Sequence, residues 1–203
     1  MIDIRSMAVS SCSSYSRRVG SIGHYERTNV VSVPVIFFTF ALGAWVIGLY
    51  LVGMGAKPTE EGSDPLVTVG WIEVIVGVIL AGQVFILVQT GALVLAGLVL
   101  LFAVFFTAFG VALVTGADLR PIGNLSIPVG ILAAFYVNFL NFTEGQSDFI
   151  FRSSALWWGI VFLLVAGFTY GKVPAKVLGW ALVITGIWGF LPAVLIALNQ
   201  RVF

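Results

Sequence analysis

Among the residues able to do chemistry, Glu73 stands apart as an acid within a mainly apolar run, Val67-Thr68-Val69-Gly70-Trp71-Ile72-Glu73-Val74-Ile75-Val76. An ionisable group surrounded by hydrocarbon is costly and marks function by default. Its position about two turns into an apolar helix leaves three readings open: facing a water-filled path, pairing with another helix, or reaching toward an interface. The other polar residues in apolar surroundings, Gln83, Gln89, Thr107, Asn138, Asn141, Thr169 and Thr185, are neutral. Such groups either hydrogen-bond a neutral solute without selecting for charge or tie helices together for about 0.6–2 kcal/mol each. Aromatic residues recur at helical spacing: Phe102, Phe106 and Phe109 at i, i+4, i+7, and Trp158 with Phe162 at i, i+4. They form two facing aromatic walls, or else they pack between helices and toward lipid; spacing alone does not choose. Trp71, Trp157 and Trp180 lie near the ends of apolar runs, where indoles anchor at the membrane interface.

Catalytic and metal chemistry have little to work with. The single cysteine, Cys12, and the single histidine, His24, make neither a disulfide framework nor a zinc site. No Ser/His/Asp or Cys/His set, glycine-rich phosphate loop or pair of buried carboxylates can be assembled. The sequence therefore predicts no enzyme, no metal and no cofactor. Ten Lys/Arg against nine Asp/Glu give a net charge of +1, which offers no basic footprint for nucleic acid.

The elements that must position these residues follow from composition. With 203 residues, 60% of them hydrophobic and 9% charged, and a mean hydropathy of +1.09, the chain has more apolar surface than one water-soluble core can hide. A bilayer must be its solvent. Runs of about 20 apolar residues cross roughly 30 Å of hydrocarbon as helices, since lipid satisfies no backbone amide. Six runs fit, at about 33–56, 66–89, 92–115, 122–142, 153–171 and 177–199. The expected fold is an all-α polytopic bundle of six transmembrane helices, with the break at Thr90-Gly91 required because 66–115 is too long for one span. Pro128 and Pro192 fall inside spans four and six and are expected to kink them. Twenty-three glycines, with small residues at four-residue steps (Thr185, Gly189, Ala193, Ala197; Ala44, Gly48), predict close helix approach within or between protomers.

Lysine and arginine set the orientation. Odd-numbered loops carry Lys57, Arg120, Lys172 and Lys176, and even-numbered loops only Arg152, which places the odd loops in the cytoplasm and both termini outside. Arg5, Arg17, Arg18, Arg27 and Arg201 count the other way. Residues 1–32 are Ser-rich and without apolar periodicity, and read as a disordered tail. We expect this tail to be an upstream extension of the reading frame, with the native chain beginning near Val30, Val31 or Val33; a transit peptide is the weaker alternative. Residues 33–199 are expected to form the six-helix transmembrane domain and 200–203 a short C-terminal tail.

Four segments carry a family resemblance: Gly116-Ala117-Asp118-Leu119-Arg120-Pro121 after the aromatic third helix, Trp158-Gly159 in the fifth, the turn Lys172-Val173-Pro174-Ala175-Lys176, and Trp188-Gly189-Phe190-Leu191-Pro192-Ala193 in the sixth. In order and spacing the chain resembles the urea and short-chain amide channels, the AmiS/UreI transporters, over about residues 34–199. The resemblance implies a passive plasma-membrane channel for urea or short aliphatic amides, with one pore in each protomer and a hexameric ring of protomers. It further implies that Phe102 and Phe106, with Trp158 and Phe162, line narrow aromatic slots. Two departures stand out. Where the family often has an acid in the last helix, this chain has Ile184-Thr185, leaving Thr185 as the polar candidate and Glu73 as a functional replacement. The loop between helices two and three, histidine-bearing in acid-gated members, is only Gln89-Thr90-Gly91.

A transporter of small monocarboxylates such as acetate is the alternative, and a non-transporting scaffold a third reading; an anion would want a positive group at depth that is missing. With no histidine outside the tail, flux is predicted to vary little between about pH 5 and 8, the range in which an unperturbed histidine titrates. Solute uptake by reconstituted vesicles checks this, and steep acid activation would overturn it.

Overall fold

Helices in hydrocarbon end where a side chain or a left-handed residue can satisfy the terminal amides. In the computed structural model, which describes residues 33–55, 64–136 and 148–197, six helices follow one another. They are α1 Val33–Val52, α2 Pro65–Gln89, α3 Leu93–Thr115, α4 Arg120–Tyr136, α5 Asp148–Thr169 and α6 Ala175–Ala197. Asp64 caps α2 by accepting the Leu66 N–H at 2.9 Å, and Pro65 opens the helix where an N–H is not needed. The break at Thr90-Gly91 is present: Gly91 takes φ +79°, and the Thr90 hydroxyl reaches the carbonyls of Ile86 and Leu87. Gly116, at φ +67°, ends α3 in the left-handed conformation that glycine adopts at least cost.

Some boundaries depart from the apolar runs. α5 begins at Asp148, inside a stretch expected to be loop, because polar residues extend a helix beyond the hydrocarbon and an acid suits its positive N-terminal end. α4 begins at Arg120, two residues before its apolar run, with Pro121 in its first turn. It continues through Pro128 to Tyr136, and α6 through Pro192 to Ala197. Four stretches have the length and hydropathy to cross a membrane: Val33–Val52, Pro65–Gln89, Leu93–Thr115 and Arg152–Thr169. The Ala175–Leu191 part of α6 is apolar as well. The tail 1–32, residues 200–203, Asn138 and Asn141 lie outside the described residues.

The helices are apolar on both faces. Ala41, Ala44, Leu80, Val99 and Val161 are buried, while Leu42, Ile75, Phe85, Val104, Ile160 and Trp180 are exposed, the pattern of a bundle solvated by lipid. Backbones meet at three glycine pairs: Gly48 with Gly179 joins α1 to α6, Gly70 with Gly110 joins α2 to α3, and Gly130 with Gly159 joins α4 to α5. Contacts of α3 with α4 and of α5 with α6, and the approach of Glu73 to Gly43 between α2 and α1, close the six helices into a ring. The small face of α6 that meets α1 runs through Gly179, Gly186 and Gly189. Thr185, expected on that stripe, turns toward α5 instead.

A Cβ on Gly110 would lie 2.5 Å from the Gly70 carbonyl oxygen and 2.6 Å from the Val74 nitrogen, backbone atoms with no freedom to yield. Gly110→Leu is therefore expected to cost about 3 kcal/mol or prevent assembly. Gly82→Ala, which meets open space, should be tolerated. Thermal unfolding and gel filtration in detergent distinguish the two; equal stability would contradict the close-approach account.

Candidate functional site

The odd-numbered helices bring their aromatic residues to the centre of the ring. Phe40 comes from α1, Phe102 and Phe106 from α3, and Trp158 and Phe162 from α5, all buried. The i, i+4 steps on α3 and α5 stack successive rings along one face of each helix. Phe102 lies 5.3 Å from both Trp158 and Phe162, ring centre to ring centre, and Trp158 lies 5.6 Å from Phe162. Phe40 meets Trp158 edge-on at 5.2 Å and Phe102 at 6.2 Å, and Phe106 meets Trp158 at 6.1 Å. Phe105 packs on Phe162 at 4.7 Å and stacks on Phe109 at 5.7 Å. Tilted and edge-to-face geometries at these distances are attractive aromatic contacts.

A cavity lies on each side of this cluster. One, of about 50 Å³, sits among the first halves of α1, α3 and α5 and is bordered by Phe37, Phe40, Phe102, Ser154 and Trp158. The other, of about 150 Å³, sits among their second halves and is bordered by Tyr50, Phe105, Phe106, Phe109, Trp158 and Phe162 among others. Trp158 borders both, so the rings form a septum between two chambers in line. A flat molecule between two rings needs their planes about 7 Å apart for contact on both faces. The rings here touch one another, so the expected slot is shut in this arrangement.

Among the described residues the polar side chains bordering the chambers are those of Trp158, Ser154 and Tyr50, and the surface that both chambers present is apolar. The Trp188 indole N–H donates to the Ser154 hydroxyl at 3.1 Å, tying α6 to α5. A second tie lies nearby: the Trp157 N–H donates to Thr185 Oγ1 at 2.8 Å, and that hydroxyl donates to the Ala181 carbonyl at 2.7 Å. Both bonds fix the rotation of α5 and hence the facing of Trp158. Thr185 thus borders neither chamber; it is a buried tie between helices. Trp157, expected as an interfacial anchor, is its partner, whereas Trp71 and Trp180 are exposed as anchors are.

Glu73 also borders neither chamber. It is completely buried, its carboxyl oxygens have no hydrogen-bond partner among the described residues, and a Cβ on Gly43 would lie 2.8 Å from Oε2. Glycine at 43 makes the room for this carboxyl between α1 and α2. Among the described residues no group of three or more His, Cys, Asp or Glu gathers as a metal would require. Phe40, Phe105 and Ser154 were missed in the sequence. Phe37 with Phe40, and Phe102 with Phe105, repeat at i, i+3, a signal for the first two of these; nothing local marks a serine as bordering a cavity.

Comparison with known proteins supplies two kinds of likeness. The family model described as AmiS/UreI family transporter matches residues 39–200. The crystal structure of the urea channel from the human gastric pathogen Helicobacter pylori superposes with a TM-score of 0.68 at 16% identity, covering 82% of this chain and 98% of that one. A cryo-EM structure of the Helicobacter pylori urea channel in a closed state gives 0.63 at 16% identity, covering 82% and 97%. No curated protein matches the sequence.

A buried polar group without a partner costs about 1–3 kcal/mol by mutational measures. Glu73→Met, which removes that cost at similar volume, is therefore expected to raise the unfolding temperature in detergent. A large fall would show that the carboxyl has a partner in the working protein.

Proposed function

The chain belongs to the AmiS/UreI family of transporters, a multi-pass membrane protein and not an enzyme, and from that premise we propose that it is a passive channel for urea or short-chain aliphatic amides, with one path through each protomer. The observation that carries this reading is the pair of chambers in line, parted only by aromatic side chains drawn from three different helices. Such a septum opens by displacement of rings, without unwinding a helix. By the Lys/Arg count the Ser154 chamber faces outward and the Tyr50 chamber the cytoplasm, with both termini outside. Residues 33–199 constitute the channel domain, and the protomers assemble as a homo-oligomer, a hexamer as the resemblance implies.

The walls explain the choice of solute. Urea and acetamide are flat and uncharged, so ring faces can contact them on both sides. The Ser154 hydroxyl accepts the Trp188 N–H, and the surface that each chamber presents is apolar, so the ring faces carry the selection. An ion has no comparable compensation for its lost hydration, because among the described residues no charged side chain borders either chamber. Phe102, Phe106, Trp158 and Phe162 are accordingly the selecting residues. Thr185 acts through Trp157 on their placement, and Glu73 through the contact of α2 with α1.

Swelling of vesicles holding the full chain tests the reading: urea and acetamide should enter fast and acetate slowly. Acetate entering fastest would favour the monocarboxylate alternative, and no solute entering faster than into protein-free vesicles would leave a scaffold. Phe106→Ala or Trp158→Ala is expected to shift the acetamide-to-urea flux ratio, because a wider septum relaxes size selection. Unchanged ratios in correctly assembled protein would remove the septum from the selection mechanism.

A further inference from the structure

The ends of α1, α3 and α5 and the starts of α2, α4 and α6 share one end of the bundle, and the larger chamber reaches it. Leu66, Leu113, Leu119 and Leu178 border the chamber there. Three of these leucines are in helices. Leu119 is in the turn between α3 and α4, and among the described residues no other inter-helix residue borders either chamber.

That turn is held on both sides of Leu119. Before it, Gly116 closes α3 in the left-handed conformation and the Ala117 N–H donates to the Ala112 carbonyl at 3.0 Å. Asp118 then accepts the Arg120 backbone N–H at 2.9 Å through Oδ1 and the Arg120 guanidinium Nε at 2.8 Å through Oδ2. After it, the Leu119 carbonyl accepts the Gly123 N–H at 3.0 Å, the first bond of α4. The side chains of Asp118 and Arg120 are exposed and Leu119 is half-buried, so the charged pair stays in water while the apolar residue between them turns to the chamber. The guanidinium hydrogen bond holds the Asp118 carboxyl below its ordinary value, and the turn therefore keeps its clasp throughout neutral and mildly acidic pH.

We propose that Leu119 forms a second solute-selecting point beyond the aromatic septum, setting the size admitted at this mouth, and that Asp118 and Arg120 are its positioning pair. This rests on the channel reading, and the two can fail separately. In vesicles holding the full chain, Leu119→Ala is expected to raise the isobutyramide-to-acetamide flux ratio about 10-fold, the scale of one or a few carbon atoms in an apolar pocket. Leu119→Phe should lower it. Asp118→Asn, which keeps the shape and loses the charge-assisted bonds, should raise the ratio less than Leu119→Ala does.

Because these variants act at a turn, a second measurement uses Leu119→Cys in a Cys12→Ser background. Benzyl maleimide is expected to reduce acetamide flux through it and to leave the background protein unaffected. A wild-type protein that conducts urea and acetamide, with a ratio unmoved by both Leu119 variants or with flux unmoved by labelling at 119, would overturn the mouth and leave the channel. A wild-type protein that conducts neither would overturn both.

Discussion

Close contact of backbone with backbone at glycine is the constraint from which this structure follows. Lipid tails are as apolar as leucine, so burying leucine between helices gains little in a bilayer, and dispersion contact at short range must hold the bundle together. Gly48 with Gly179, Gly70 with Gly110, and Gly130 with Gly159 supply that contact at three crossings. Each crossing joins an even-numbered helix to an odd-numbered one. The odd helices are thereby pinned at a separation that lets Phe40, Phe102 and Trp158 meet at the centre.

From that separation come the two chambers. Helices this large in side chain cannot fill the centre of a six-membered ring evenly, and the aromatic residues gather in one layer. Hydrocarbon space remains on either side of it. A layer of rings is a good barrier to ions because it offers no charge and no carbonyl, and a poor barrier to flat neutral molecules because ring faces attract them. In the proposed channel, barrier and passage are therefore two properties of one set of side chains.

Polar residues have been spent elsewhere. Thr185 and Ser154 each accept an indole N–H across the α5 to α6 contact, which makes two tryptophans, Trp157 and Trp188, into struts that set how Trp158 faces. Asp118 uses its charge to shape a turn. Buried Glu73 has no hydrogen-bond partner among the described residues, and glycine at 43 accommodates it.

The sequence alone determined that the chain is a six-helix membrane protein, because runs of about 20 apolar residues parted by charges and prolines allow no other solution in lipid. Family membership was also legible, from four short segments in order. The stripe Phe102, Phe106, Phe109 and the pair Trp158, Phe162 were visible from helical spacing, but whether they faced inward was not. Helices apolar on both faces carry no amphipathic signal to orient them, which is why Thr185 and Glu73 read equally well as chamber-facing and why Phe40 and Phe105 passed unnoticed. Only the tertiary structure decided these facings. They depend on which glycines meet across helix crossings, and that is a pairing between distant parts of the chain that no local pattern records.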